Sequence, residues 1–405
     1  MTAAPKRLDT RCCIAGGGPA GMMLGLLLAR AGVPVVVLEK HADFLRDFRG
    51  DTIHPSTLEN LHELGILEAF LKLPHQRVPV LKAQFGGLAL PIADFSHLPT
   101  RCKFIALAPQ WDFLNFLAAH AKGYPGFDLR MEAEATGLVE ESGRTVGVRA
   151  DTPDGPLEVR ADLVVAADGR HSTLRGAAAM PVEQLGAPMD VLWFGLRREA
   201  TDPQDTMGRF GDGRIFIMLN RGDYWQCGFV IRKGSIEEVR ARGIEAFRAE
   251  VAKSAPFAAN RVDELRDWDT IKLLTVAVDR MPRWYRGGLL FIGDAAHAMS
   301  PIGGVGVNLA IQDAVAAANL IAGPLREGRL QTADLEAVQR RREFPTRVTQ
   351  RLQIAVQNRI VTRALDGAEP FRPPLLIRLM AKFPVLRRVP ARLLGLGVRP
   401  EHVES

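Results

Sequence analysis

The run Cys12-Cys13-Ile14-Ala15-Gly16-Gly17-Gly18-Pro19-Ala20-Gly21 constrains this chain more than any other ten residues. A short apolar strand enters a G-x-G-x-x-G turn and leaves as an apolar helix. Gly16 lets the chain turn tightly, Gly18 lets backbone approach a pyrophosphate, and Gly21 lets helix and strand pack with no side chain between them. Pro19 and Ala20 open the helix, whose first N–H groups face the phosphates. Val35-Val36-Val37-Leu38 reads as the next parallel strand. Glu39 follows it, 18 residues after Gly21, placed to accept hydrogen bonds from an adenosine ribose, with Lys40 beside it. A glycine-rich turn alone also arises for steric reasons; strand, helix and acid together point to a dinucleotide site.

At 405 residues the chain is longer than one hydrophobic core usually serves, so two or more structural units are expected. Its 47% hydrophobic and 24% charged residues are those of an ordinary globular protein and exclude extensive disorder. Met1 to Thr10 carries charge but no apolar signal core, and no uninterrupted run of about 18 apolar residues occurs. A cytoplasmic protein, without stable membrane insertion and acting as a monomer or homodimer, is expected. The net charge of +6 comes from arginines scattered along the chain, so nucleic acid is not an expected partner. Cys12, Cys13, Cys102 and Cys227 form no C-x-x-C pair and no metal spacing, so neither disulfide chemistry nor a metal site is expected.

Along the chain, Ser56-Thr57-Leu58-Glu59 has the spacing of a capping box, with Gly65 as the stop of a short helix. Pro109-Gln110-Trp111 leads into another helix. Turn signals at Ser142-Gly143 and Pro153-Asp154-Gly155 mark a hairpin-rich crossover from Met131 to Val165. It ends in the buried strand Asp162 to Ala167, which delivers Asp168-Gly169-Arg170-His171-Ser172-Thr173-Leu174-Arg175. Strand patterns then dominate from Met189 to Ile271: Val191 to Leu196, Ile215 to Leu219, and Tyr224 to Ile231, with Asn220-Arg221-Gly222-Asp223 as a hairpin loop. An apolar strand, Leu289 to Ile292, runs into Gly293-Asp294-Ala295-Ala296-His297. Pro301 and Gly303-Gly304-Val305-Gly306-Val307-Asn308 come next, then an alanine-rich helix from Val307 to Ile321, expected to stop at Gly323-Pro324. The remainder, Ala333 to Ile360 and Leu375 to Leu394, reads as helical, arginine-rich and amphipathic, interrupted at Pro345. It is expected to pack across the domains rather than to lie on a membrane.

The glycine turn ending at Glu39, the Asp168-Gly169 motif with Ser172 and Arg175, and Gly293-Asp294 through Asn308 occur in an order and at separations that resemble the class A flavoprotein monooxygenases. These are the para-hydroxybenzoate hydroxylase-like aromatic hydroxylases. The likeness runs roughly from Thr10 to Gly323. It implies an α/β fold: a Rossmann-like FAD-binding domain with an inserted, mostly antiparallel β-sheet substrate domain and a C-terminal helical segment. The FAD-binding parts would be residues 1–180, with 78–105 contributing to the substrate side, and 276–330. The substrate domain would be 181–275 and the helical segment 331–405.

The resemblance further implies that Asp294 binds the ribityl chain of FAD, and that the loop from Pro301 through Gly304, Gly306, Val307 and Asn308 presents backbone N–H groups to the flavin pyrimidine edge. Pro301 would lie beside the reactive edge of the ring. Arg49 matches an arginine near the FAD phosphates, Gln110 a position supporting the cofactor, and Asp168 with Gly169 serves FAD. By the same likeness NADPH or NADH reduces FAD, dioxygen forms a flavin hydroperoxide, and one oxygen atom passes to an aromatic or otherwise electron-rich small molecule.

The strands lack an obvious tyrosine pair of the para-hydroxybenzoate type, so a small benzoate is not implied. Tyr224 and Gln226 alternate with Trp225 and Cys227, and either pair can face a substrate. Arg214 is a further candidate, for an acidic substrate. No base is named, and His54, His171 and His297 are left out of catalysis. No two tryptophans have the halogenase spacing Trp-x-Trp, and no cysteine pair serves a disulfide reductase. A flavin oxidase or dehydrogenase without oxygen insertion, and a non-catalytic flavin-binding protein, stay open.

Overall fold

The computed structural model describes residues 5–45, 52–85, 88–211, 213–367 and 373–404. Its first sheet is built on five parallel strands in the spatial order Leu289–Phe291, Gly155–Ala166, Lys6–Ala15, Val35–Leu38 and Phe127–Arg130. Parallel strands are covered on both faces, and alternate residues here serve two separate cores. Cys12, Ile14, Val35, Val37, Leu163 and Val165 point to one side, under the helices Pro19–Arg30, Gln110–Ala121 and Gly306–Arg326. Cys13, Ala15, Val36, Leu38, Val164 and Ala166 point to the other, under the hairpin Glu134–Thr152 and the segment around Trp284. Burial pushes the Cys13 thiol up to about 12, which makes it a packing group.

The second sheet has seven strands, all but one pair antiparallel. Its order is Lys272–Leu274, Met189–Arg197, Tyr224–Arg232, Arg214–Asn220, Met207–Gly211, Val80–Phe85 and Leu88–Asp94. The last two come from the early part of the chain. One face carries Phe194, Phe216, Trp225, Cys227 and Phe229 against Ile244–Ser254 and the turns of Pro256–Glu264. The other carries Val191, Trp193, Ile215 and Val230 and meets Ile302 of the glycine loop.

Three local expectations are not met. The capping box at Ser56 is not formed, because Pro55 takes the first turn of the helix Pro55–Glu63 and His54 becomes its N-cap. A proline is tolerated there since its missing N–H is needed by no helical bond. The helix Gly306–Arg326 runs through Gly323-Pro324, because Ile321, Ala322 and Leu325 are all buried and their contacts outweigh the bond that Pro324 removes. The helix Thr332–Val356 likewise continues through the buried Pro345. The stretch Ile302–Arg326 is long and apolar enough to cross a membrane, but 72% of its most apolar window is buried inside the protein.

A buried ion pair fastens the helical layer to the second sheet. Arg261 donates to both Asp202 oxygens at 2.8 Å, and Trp225 Nε1 adds a third bond at 2.9 Å. The bidentate guanidinium holds the Asp202 carboxyl down at about 2. Asp202→Ala would leave Arg261, 3% exposed, as an uncompensated buried cation; a loss of about 3–5 kcal/mol is expected in chemical denaturation, and a loss under 1 kcal/mol would show that the pair is dispensable.

Candidate flavin and substrate site

The three motifs meet where the parallel strands end. Gly16 has φ +105°, and a Cβ there would lie 2.4 Å from the Ala167 carbonyl oxygen, so only glycine lets the first turn pass the strand that delivers Asp168. A Cβ on Gly21 would lie 1.9 Å from the Gly16 oxygen. Gly18 is the opposite case: nothing lies within 4 Å of where its Cβ would sit, which leaves that backbone open to a ligand. Gly18 is also the N-cap of Pro19–Arg30, and no side chain caps that terminus.

Glu39 is buried and pinned against the turn. Its Oε2 accepts from Gly17 N at 3.0 Å and its Oε1 from His41 N at 3.1 Å. Lys40 is exposed beside it, and Gln110, partly exposed, starts the helix Gln110–Ala121. Arg49 lies outside the described residues.

Asp168 Oδ2 accepts from Leu174 N at 3.1 Å, whereas its Oδ1 is buried without a partner. Burial raises its pKa against the hydrogen bonds around Ser172, so an incoming hydroxyl donor would satisfy it. Gly169, at φ +84°, turns the chain after it. Arg175 then ties this motif to the third, donating to the Ala295 carbonyl at 3.1 Å and to Arg170 O at 2.6 Å. Arg170 in turn lies 3.5 Å from Asp294. Gly293, at φ +59°, lets the third motif come against the first: a Cβ there would sit 3.2 Å from the Ala20 Cβ.

Beyond Pro301 the loop takes two successive left-handed glycines, Gly303 at φ +77° and Gly304 at φ +61°. A Cβ on Gly304 would lie 2.2 Å from Thr52 Oγ1, the hydroxyl that donates to the Gly304 carbonyl at 2.8 Å. The helix Gly306–Arg326 starts without a side-chain cap, so the N–H groups of Gly306 and Val307 are available to a ligand. The Asn308 side chain is committed to the protein. Its Oδ1 accepts from His54 N and Thr57 Oγ1, both at 2.8 Å, and its Nδ2 donates to Thr52 O at 3.0 Å.

The same cluster brings in His54, absent from the sequence-based site. It is fully buried, Nδ1 lies 2.6 Å from the Leu394 carbonyl and so carries the proton, and Nε2 has no partner. Burial pulls its pKa down to about 4.

On the second sheet Trp225 is core and Arg214 is turned away from the site: Arg214 is ion-paired to Glu250 on the helical side. The guanidinium considered for an acidic substrate is thus already engaged by a carboxylate of the protein. Tyr224 and Gln226 lie on the opposite face; Gln226 is buried and accepts from Arg221 Nε at 3.0 Å. On the same face, packed in the cluster that includes Ile302 of the glycine loop, is Trp193, which sequence reading passed over. Its ring covers Gly228, whose Cβ would be 3.0 Å from it, and its Nε1 is buried without a partner. The signal was a large aromatic paired across strands with a glycine.

These residues fit an FAD: an open Gly18, uncapped helix N-termini at Pro19 and Gly306, an unpaired Asp168 Oδ1, and a loop that side chains would fill. Gly304→Val is expected to fold but to be purified with less than a tenth of the wild-type flavin, read as the ratio of visible to ultraviolet absorbance; full flavin content would refute the loop's role. His54 carries a second expectation. Unfolded, it protonates below its ordinary value of 6.5, but in the folded protein only near 4. Its burial therefore contributes full stability above pH 6.5 and loses roughly 3 kcal/mol as pH falls to 4. His54→Gln should flatten that slope in denaturation series; an unchanged slope would mean that other groups carry it.

The model of the FAD binding domain family matches residues 9–352. The 6-methylpretetramide 4-monooxygenase of Streptomyces rimosus is 34% identical over 401 residues, covering 98% of this chain and 96% of that enzyme. The rifampicin monooxygenase of Streptomyces venezuelae is 30% identical over 324 residues, 74% of this chain and 61% of that longer protein. Among solved structures, p-nitrophenol 4-monooxygenase PnpA from Pseudomonas putida DLL-E4 superposes with a TM-score of 0.77 at 21% identity, over 97% of this chain and 100% of that one, a likeness of fold. The chain belongs to the FAD binding domain family and, within it, to the class A flavoprotein monooxygenases.

Proposed function

We propose that this protein uses NADPH or NADH and dioxygen to hydroxylate a fused-ring phenolic molecule of the size of a tetracyclic polyketide. The observation that carries the reading is the sheet face opposite the glycine loop. It is apolar at Val191, Ile215 and Val230 and has one buried, unpaired donor, Trp193 Nε1. The near full-length match to a 6-methylpretetramide monooxygenase supports the substrate class.

When bound, FAD supplies hydride acceptance and oxygen activation, which side chains do not provide. The protein's part is to hold and to exclude. Glu39 and the turn at Gly18 fix the adenosine diphosphate end, and Asp168 and Asp294 accept from hydroxyls nearer the ring. The N-terminus of Gly306–Arg326 places positive potential where negative charge develops on the ring system. Trp193 gives a flat wall for a fused-ring substrate and donates Nε1–H to one of its oxygens. The apolar side chains beside it keep water from the reacting atoms.

Substrate-stimulated oxidation of reduced nicotinamide, with a product heavier by one oxygen atom, is expected for a member of a panel of fused-ring phenols. Peroxide as the sole product for every compound would sink the reading. Trp193→Phe keeps the wall but removes the donor, and should raise KM for that substrate about tenfold with a smaller change in kcat. An unchanged KM would remove Trp193 from recognition.

A further inference from the structure

The C-terminal helices have two apolar faces, and only one is used by the fold. Ile377 and Met380 of the helix Leu375–Lys382 pack on Phe85 and Leu90. Ala391 of the helix Arg388–Gly395 packs on Phe95 and Leu98. The outer face is apolar as well. Among the described residues, seven of the thirteen exposed large hydrophobics fall between Leu375 and Leu393. Leu375 is 69% exposed, Leu376 63%, Val385 58% and Val389 60%. Exposed apolar side chains gathered in one segment mark an interaction surface.

Charge selects the occupant. Pro373 to Pro400 contains no acidic residue, yet it carries as many cations as the net charge of the whole chain, +6. Arg378, Lys382, Arg388 and Arg392 are exposed among the leucines and valines, and among the described residues no ion pair engages them. A second copy of this chain would meet the patch with itself across a two-fold axis, setting these cations against their own counterparts. An anionic lipid surface meets both features at once: phosphate headgroups for the cations, and the acyl boundary for the apolar side chains between them.

We propose that the outer face of Leu375–Gly395 is a peripheral docking surface for anionic membranes. It lies on the back of the element that touches the flavin loop. Leu394 holds His54 through its carbonyl, and its side chain would meet a Cβ on Gly303 at 2.8 Å. Docking therefore sets the candidate site close to the lipid boundary without inserting a helix.

The test is co-sedimentation of the FAD-loaded, full-length protein with vesicles of phosphatidylcholine alone or mixed with an equal part of phosphatidylglycerol. Binding to the mixed vesicles, weakened at least tenfold on neutral ones and reduced by raised salt, is expected. Each reversal, Arg378→Glu or Arg388→Glu, should weaken it about fivefold or more, and Leu376→Asp should abolish it. Flavin content and turnover in solution should stay at wild-type levels in all three. No sedimentation with either vesicle, or equal sedimentation with both, would overturn the proposal. So would a dimer in lipid-free solution that Leu376→Asp dissociates, which would assign the face to a second copy.

Discussion

The carboxylate of Asp313 holds the C-terminal half of the protein together. It is fully buried and takes three bonds at once. Gly293 N donates at 3.1 Å, His297 Nε2 lies 2.6 Å away, and Arg342 Nε donates to the other oxygen at 3.0 Å. Burial pushes this acid up, but His297 and Arg342 outweigh it and hold the carboxyl below its ordinary range. The anion is therefore present in the folded state. Through it the Gly293-Asp294 motif is fastened to the helix Gly306–Arg326, and through Arg342 to the long helix Thr332–Val356. Arg342 reaches on to Glu401 at 3.2 Å, so the chain's end closes over the same network.

That network explains why an open ligand cradle can exist at all. Gly18, Gly303 and Gly304 give up side-chain packing, and two of them adopt left-handed backbone. Such a loop keeps one shape only if its surroundings over-determine it. Here Asn308 and Thr52 hold it on one side, Ser300 and Ile302 are bonded by Gln353, and Leu394 covers it from the C-terminal helices. Facing the loop, the second sheet presents an apolar side on which Trp193 lies over Gly228.

Much of the architecture was legible locally. The short apolar runs of the first strands, the Ser142-Gly143 turn and the three glycine-bearing motifs each state a backbone geometry in a few residues. Elsewhere the local signal did not decide. Pro324 and Pro345 are strong breakers in isolation, but buried neighbours such as Leu325 and Thr346 keep those helices intact. Ser56 has the spacing of a cap, but Pro55 is better suited to the first turn. Arg214 was placed by its turn and found its partner in Glu250, 36 residues away in sequence.

The amino-acid sequence by itself determined that this is an α/β flavoprotein, because glycine spacing and short apolar runs are short-range facts. Which face of Tyr224–Arg232 becomes core, that His54 is sealed beside the glycine loop, and that Trp193 is left with an unpaired donor were decided by the tertiary structure alone. Burial and hydrogen-bond satisfaction depend on residues brought together from distant parts of the chain. Asp313 and Arg342, which helps to keep it charged, stand 29 residues apart in sequence.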